Sequence, residues 1–117
     1  MAIALEELAK DIGDWIKTDA ERLSATRNAF LDNSHSSECI KTLHRAAHDL
    51  KGLGQTYGFR IVSLIADTLC KAILRAVEVG TLPEDIVNAH VDALRAVVNV
   101  VNLNLRGLST LVEKKIS

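Results

Sequence analysis

The chain has 117 residues, enough for one domain with a single core and too few for two comfortable ones. It is 48% hydrophobic and 25% charged with one proline, which excludes a disordered chain. A net charge of -1 and a pI near 6.4 argue against nucleic acid as the main partner, because binders of a phosphate backbone carry a basic excess.

No apolar run approaches the ~18 residues of a membrane span. The start, Met1 to Glu7, turns acidic at once, unlike a signal peptide. Cytoplasm is the expected compartment, and Cys39 and Cys70 are expected as reduced thiols. Aromatic residues make up 3% of the chain, so the core must be built from Leu, Ile, Val and Ala, which suits close-packed helices better than a β-sandwich.

Four helices are predicted in turn. From Ile3 to Phe30 the apolar residues Leu5, Leu8, Ile12, Trp15, Ile16, Leu23 and Phe30 recur at steps of three, four and seven, with Gly13 as a point of bending or division. The polar run from Asp32 to Ser37 reads as a turn whose serines cap the second helix. That helix carries Ile40, Leu43, Ala47, Leu50, Gly54 and Tyr57 toward the core and breaks at Gly58. In the third, Ile61, Leu64, Ile65, Leu69, Ile73 and Val77 form the expected apolar face, and Gly80 stops it. Thr81 and Glu84 have capping-box spacing around Pro83. The last helix has a heptad seam: Val87, Val91, Leu94, Val98, Val101, Leu105, Leu108 and Val112. Gly107 is expected to end it, leaving a short extra C-terminal helix. Short turns between long helices predict an all-α, antiparallel up-down four-helix bundle over residues 1–117.

The chemistry concentrates between His44 and Phe59. On a helix turning ~100° per residue, His48 points roughly opposite Leu43, Ala47, Leu50, Gly54 and Tyr57. It therefore faces away from the core, with His44, Lys51, Gly52 and Gln55 on the same side. Mid-helix glycine costs ~1 kcal/mol relative to alanine, so Gly52 and Gly54 need reasons other than helix stability. For Gly52 the reason is access of a bulky group to His48; for Gly54 it is close approach of another helix. An exposed imidazole, with an ordinary pKa of about 6.5, is a largely neutral nucleophile near pH 7. Lys51, one turn on, can balance phosphoryl oxygens, and Gln55 or Thr56 can hydrogen-bond the phosphate or the ring.

The run His48-x-Leu50-Lys51-Gly52-x-Gly54-x-x-x-Gly58-Phe59 resembles the signature of histidine-containing phosphotransfer (HPt) domains. It is similar above all to the phosphotransfer domain of chemotaxis-type histidine kinases, through Thr56-Tyr57-Gly58-Phe59 as well. The resemblance implies a four-helix bundle phosphorylated at His48, with Lys51 and Gly52 as the matching lysine and glycine. It implies a phosphocarrier in a two-component phosphorelay, not an enzyme with kinase machinery of its own. Partners would be receiver domains of response regulators and sometimes a kinase catalytic domain, with no nucleic acid and no membrane. The carrier, expected to be a monomer, needs no cofactor of its own, since Mg2+ sits in the partner receiver.

One departure stands out. Chemotaxis kinases usually place a glutamate on the third helix against the far side of the reactive ring. By ungapped count that position is Cys70, with Asp67 one turn earlier as the alternative. The missing glutamate favours a shuttle over an isolated kinase substrate domain, the alternative function. Met1 and the long last helix lead to the expectation of a whole protein. A third reading is a non-phosphorylated helical adaptor or metal-binding bundle. In it His44 and His48, at i and i+4, would recruit Asp67, Cys70 or Glu38. Otherwise His44 is a flanking residue that touches the partner. His35 and His90 read as plain surface residues. Arg45, Lys51 and Arg60 form either a solvated face or the complement of a receiver's acidic pocket.

Overall fold

The computed structural model describes residues 2–32 and 36–116, with side chains over 7–32 and 36–107. The chain forms four helices, α1 (Ala2–Asp32), α2 (Ser37–Tyr57), α3 (Arg60–Val79) and α4 (Glu84–Ile116). Among the described residues each helix packs on the two beside it and neither diagonal pair touches, the arrangement of an up-down four-helix bundle. The side chains of Leu5, Leu108 and Val112 and the turn residues 33–35, His35 among them, lie outside the described residues.

The helices are unequal. α1 and α4 have 31 and 33 residues, α2 and α3 only 21 and 20. At 1.5 Å per residue the short pair spans about 30 Å, whereas the molecule is 58 Å long and 22 by 19 Å across. Tyr57, at the end of α2, meets Trp15 of α1, the ring centroids 6.0 Å apart. The part of α1 before Trp15 therefore runs past the α2–α3 turn with only α4 beside it. This makes two regions, a four-helix section and a two-helix extension.

The core lies in the four-helix section. Ile16, Leu23 and Phe30 of α1, Leu43 and Leu50 of α2, Leu69 and Ile73 of α3, and Val87, Val91 and Leu94 of α4 are all fully buried. The α4 seam holds at positions 87, 91, 94 and 98, then loosens at Val101 and Leu105, where α2 and α3 have ended.

The expected α3 face needs correction. Ile61, Leu64 and Val77 are exposed, and the buried stripe is Val62, Ala66, Leu69, Cys70, Ile73 and Ala76. α3 has more apolar residues than one stripe can hide, and the buried stripe mixes the large Leu69 and Ile73 with the small Ala66, Cys70 and Ala76. Leu8 and Trp15 of α1 are likewise exposed, while Ala9 and Ala20 are buried.

Neither Gly13 nor Gly107 breaks its helix. A Cβ at Gly13 would stand 2.7 Å from the Asn102 side-chain oxygen, so that glycine seats α4 against α1. Gly107 is exposed with open space around it, and α4 runs through it despite a helical cost of about 1 kcal/mol. The expected tail helix is thus the last turns of α4. That helix also starts later than the capping-box spacing suggests. Thr81 to Pro83 stay outside it, Leu82 is buried as a plug, and the Pro83 carbonyl accepts from the Val87 N–H. Ser36 does cap α2, its hydroxyl accepting from the Cys39 N–H at 3.1 Å.

Candidate functional site

Two backbone features set the α2–α3 hairpin. Gly58 adopts φ 75°, the left-handed conformation that favours glycine, and ends α2. The Phe59 N–H then donates to the Gly54 carbonyl at 2.8 Å, and α3 starts at the next residue. A Cβ at Gly54 would lie 3.0 Å from the Ser63 backbone nitrogen and 3.1 Å from the Phe59 carbonyl oxygen, so this glycine lets the first turn of α3 rest on α2.

This turn fixes an antiparallel register in which Lys51 faces Asp67 and His48 is level with Cys70. The Lys51 ammonium donates to one Asp67 carboxylate oxygen at 2.9 Å, and Lys71 takes the other at 2.9 Å. Lys51 and Asp67 side chains are 29% and 26% exposed, whereas Lys71 is 76% exposed, so the interhelical half of the triad is the better shielded. The hydrogen bond from Lys51, then that from Lys71, holds the Asp67 carboxyl below the usual carboxylate range. The same bond raises Lys51 above an ordinary lysine.

His48 is exposed, as its helical position predicts. Among the described residues its ring has no hydrogen-bond partner, and its ring neighbour is His44, with centroids 6.4 Å apart. Helical side chains lean toward the N-terminus, which carries the imidazole toward His44, while Lys51, one turn on, reaches across to Asp67. A Cβ at Gly52 would touch nothing within 4 Å, so the space beside His48 is open. His44, Arg45 and His48 line a groove of about 480 Å³ with Ile73, Leu74 and Val77 of α3. Leu74 and Val77 are 56% and 65% exposed there, next to the exposed Lys41 and Arg45.

The remaining expected site residues divide. Thr56 spends its hydroxyl on the Gly52 carbonyl at 2.9 Å. It and Gln55, both exposed, lie about 10–12 Å along the helix from His48, on the side from which the imidazole leans away. Asp67 directs both oxygens to lysines and none to the His48 ring. Cys70 is buried, and burial pushes its thiol up, so it stays protonated and offers the ring no charge. Arg60 is exposed at the start of α3. His90 Nδ1 donates to the Ile86 carbonyl oxygen at 2.7 Å. Among the described residues no three His, Cys, Asp or Glu side chains gather around one point.

Sequence reasoning missed three features. Asp49, beside His48, pairs with Arg22 of α1 at 2.7 Å and ties the site's helix to the scaffold. Lys71 shares Asp67, as the i, i+4 spacing of the two could have signalled. Leu74, omitted from the apolar face, lies exposed in the groove of His48.

No family model matches the chain, and no curated protein or solved structure does. Among the described residues no helix is long and apolar enough to cross a membrane.

Proposed function

We propose that the protein is a phosphocarrier, accepting a phosphoryl group on His48 from the aspartate of one receiver domain and passing it to another. The observation that carries this reading is the exposed His48 ring, free of hydrogen bonds, with open space at Gly52 and Lys51 one turn away. The resemblance to histidine phosphotransfer domains supports it on the same residues.

In the accepting step the lone pair of His48 Nε2 attacks the aspartyl phosphorus. A P–N bond forms, the P–O bond to the aspartate breaks, and the carboxylate leaves with the electron pair. The ring keeps its Nδ1 proton and becomes a phosphoimidazolium, ready for the reverse step. The phosphoryl group arrives already activated, so no nucleotide site is required, and charge neutralisation of the transferring group would come from Mg2+ held by the receiver. The apolar flank of Leu74 and Val77, with Arg45 and Lys41 beside it, suits a partner whose acidic pocket has an apolar rim.

Cys70 level with His48 favours a shuttle over the substrate domain of a chemotaxis-like kinase, since a neutral thiol does not make the ring a stronger nucleophile. The test is to incubate the protein with phosphoramidate, and separately with a receiver domain charged by acetyl phosphate. Acid-labile, base-stable label on the wild type, absent from His48→Gln, is the expected result. An unlabelled wild type, or equal labelling of His48→Gln, would overturn the reading. Labelling that needs an added kinase catalytic domain would favour the kinase-fragment alternative.

A further inference from the structure

The lysine expected to balance the phosphoryl group is already engaged. Lys51 bridges the α2–α3 groove to Asp67, in the shielded half of a Lys51–Asp67–Lys71 triad. Other polar groups at the site do not compete for it: Asp49 is held by Arg22, Thr56 by the Gly52 carbonyl, and Cys70 is a buried thiol. A phosphoryl group on His48 would place up to two negative charges one turn from Lys51, on a ring with no hydrogen-bond partner among the described residues. Lys51 would then lie between two anions, the phosphoryl group and the Asp67 carboxylate, which also repel each other.

A carrier has to release its cargo as readily as it takes it, and an uncommitted lysine beside the phosphoryl group would trap it. Resting on the phosphocarrier reading, we infer that Asp67 is a positioning residue that sets the phosphoryl-transfer equilibrium at His48, by holding Lys51 in the α2–α3 groove in competition with the phosphoryl group. The carboxylate thereby keeps the phosphohistidine at a higher transfer potential than Lys51 alone would allow. Lys71, mostly solvated, contributes less to this balance.

An equilibrium measurement isolates this role. The partition of phosphate between His48 and a receiver aspartate depends only on the free energies of the separate species, so a change in docking alone does not move it. Wild type, Asp67→Asn, Lys51→Gln and the double variant are each mixed with a receiver domain charged by acetyl phosphate and freed of the donor. Asp67→Asn is expected to shift the partition toward His48 by roughly three- to fivefold, the reach of one partly exposed ion pair. Lys51→Gln should shift it the other way, and in the Lys51→Gln background the Asp67→Asn effect should fall to less than half.

An unchanged partition in Asp67→Asn, or a shift toward the receiver, overturns the inference. So does an Asp67→Asn effect of full size without Lys51, since the carboxylate would then act by its own charge. In each of those cases His48 still takes label and the phosphocarrier reading stands. A wild type that takes no label from the receiver or from phosphoramidate ends both.

Discussion

The four-helix section and the two-helix extension are built from the same kinds of residue and do different work. In the section every helix has two neighbours, a core of large side chains such as Leu23, Phe30, Leu50 and Leu69 is buried completely, and α2 and α3 approach closely enough to need Gly54. In the extension α1 and α4 have only each other, and Leu8 and Leu103 remain exposed. The section is where a side chain can be held in a set place, and all the candidate chemistry is there. Hydrophobicity alone does not separate the two regions; the number of neighbours does.

The strongest test of that contrast compares two leucines. Leu50→Ala should cost about 3 kcal/mol, because Leu50 is fully buried beneath the site. Leu103→Ala, at a position 65% exposed, should change stability by less than about 0.5 kcal/mol. Chemical denaturation of both variants measures the difference, and similar losses would mean that the extension is as tightly packed as the section.

Within the section, two glycines two residues apart should respond with opposite signs. Gly54→Val is expected to destabilise by about 2–3 kcal/mol, since its side chain meets the backbone of α3. Gly52→Ala should stabilise by up to about 1 kcal/mol while slowing labelling of His48 by phosphoramidate. Thermal melts and a labelling time course read the two effects. A Gly52→Ala variant that labels at the wild-type rate would remove access as the reason for that glycine.

Ion pairs extend the comparison to weaker forces. Arg27 of α1 reaches Asp92 of α4 at 2.8 Å, the scaffold's counterpart of Lys51–Asp67. Asp92→Asn should cost under about 1 kcal/mol, Asp92 being mostly exposed. For the site pair the pH dependence follows from the two shifts. Asp67, lowered, contributes stability above the ordinary carboxylate pKa of about 4 and loses it as pH falls through its depressed value. Lys51, raised, contributes below the ordinary lysine pKa of about 10.4 and loses it as pH rises through its elevated value. The Tm difference between wild type and Asp67→Asn should therefore hold steady from about pH 5 to 10 and close in stronger acid.

The smallest effect concerns the thiols. Half-buried Cys39 should be alkylated by iodoacetamide near neutral pH before buried Cys70, whose pKa is raised by burial. Mass spectrometry of the peptides gives the order, and prior labelling of Cys70 would show the α2–α3 groove opening in solution.

Much of this architecture was legible from period alone. The α4 seam was readable because a step of four and three persists over many turns, and His48 because its position opposite Leu43, Ala47 and Leu50 is local geometry. The α3 face was not. With Ile61, Leu64, Leu74 and Val77 all apolar, hydrophobicity could not say which side was inside, and the buried side proved to be the one that carries small Ala66, Cys70 and Ala76. The engagement of Lys51 was also hidden, since it depends on how two helices register across a turn. Gly13 was read as a weakness in α1 and is instead the seat of Asn102, a contact between residues far apart in the chain.

The αL turn at Gly58 bears on the order of assembly. Lys51 and Asp67 are separated by one short turn, so their pairing closes a small loop, whereas Arg27–Asp92, with a sequence separation of 65, closes a long one. Loop-closure entropy rises with length, and local contacts form fastest. The site is therefore encoded in the low-contact-order half of the protein, and its geometry can arise in a nascent hairpin before α1 and α4 close around it.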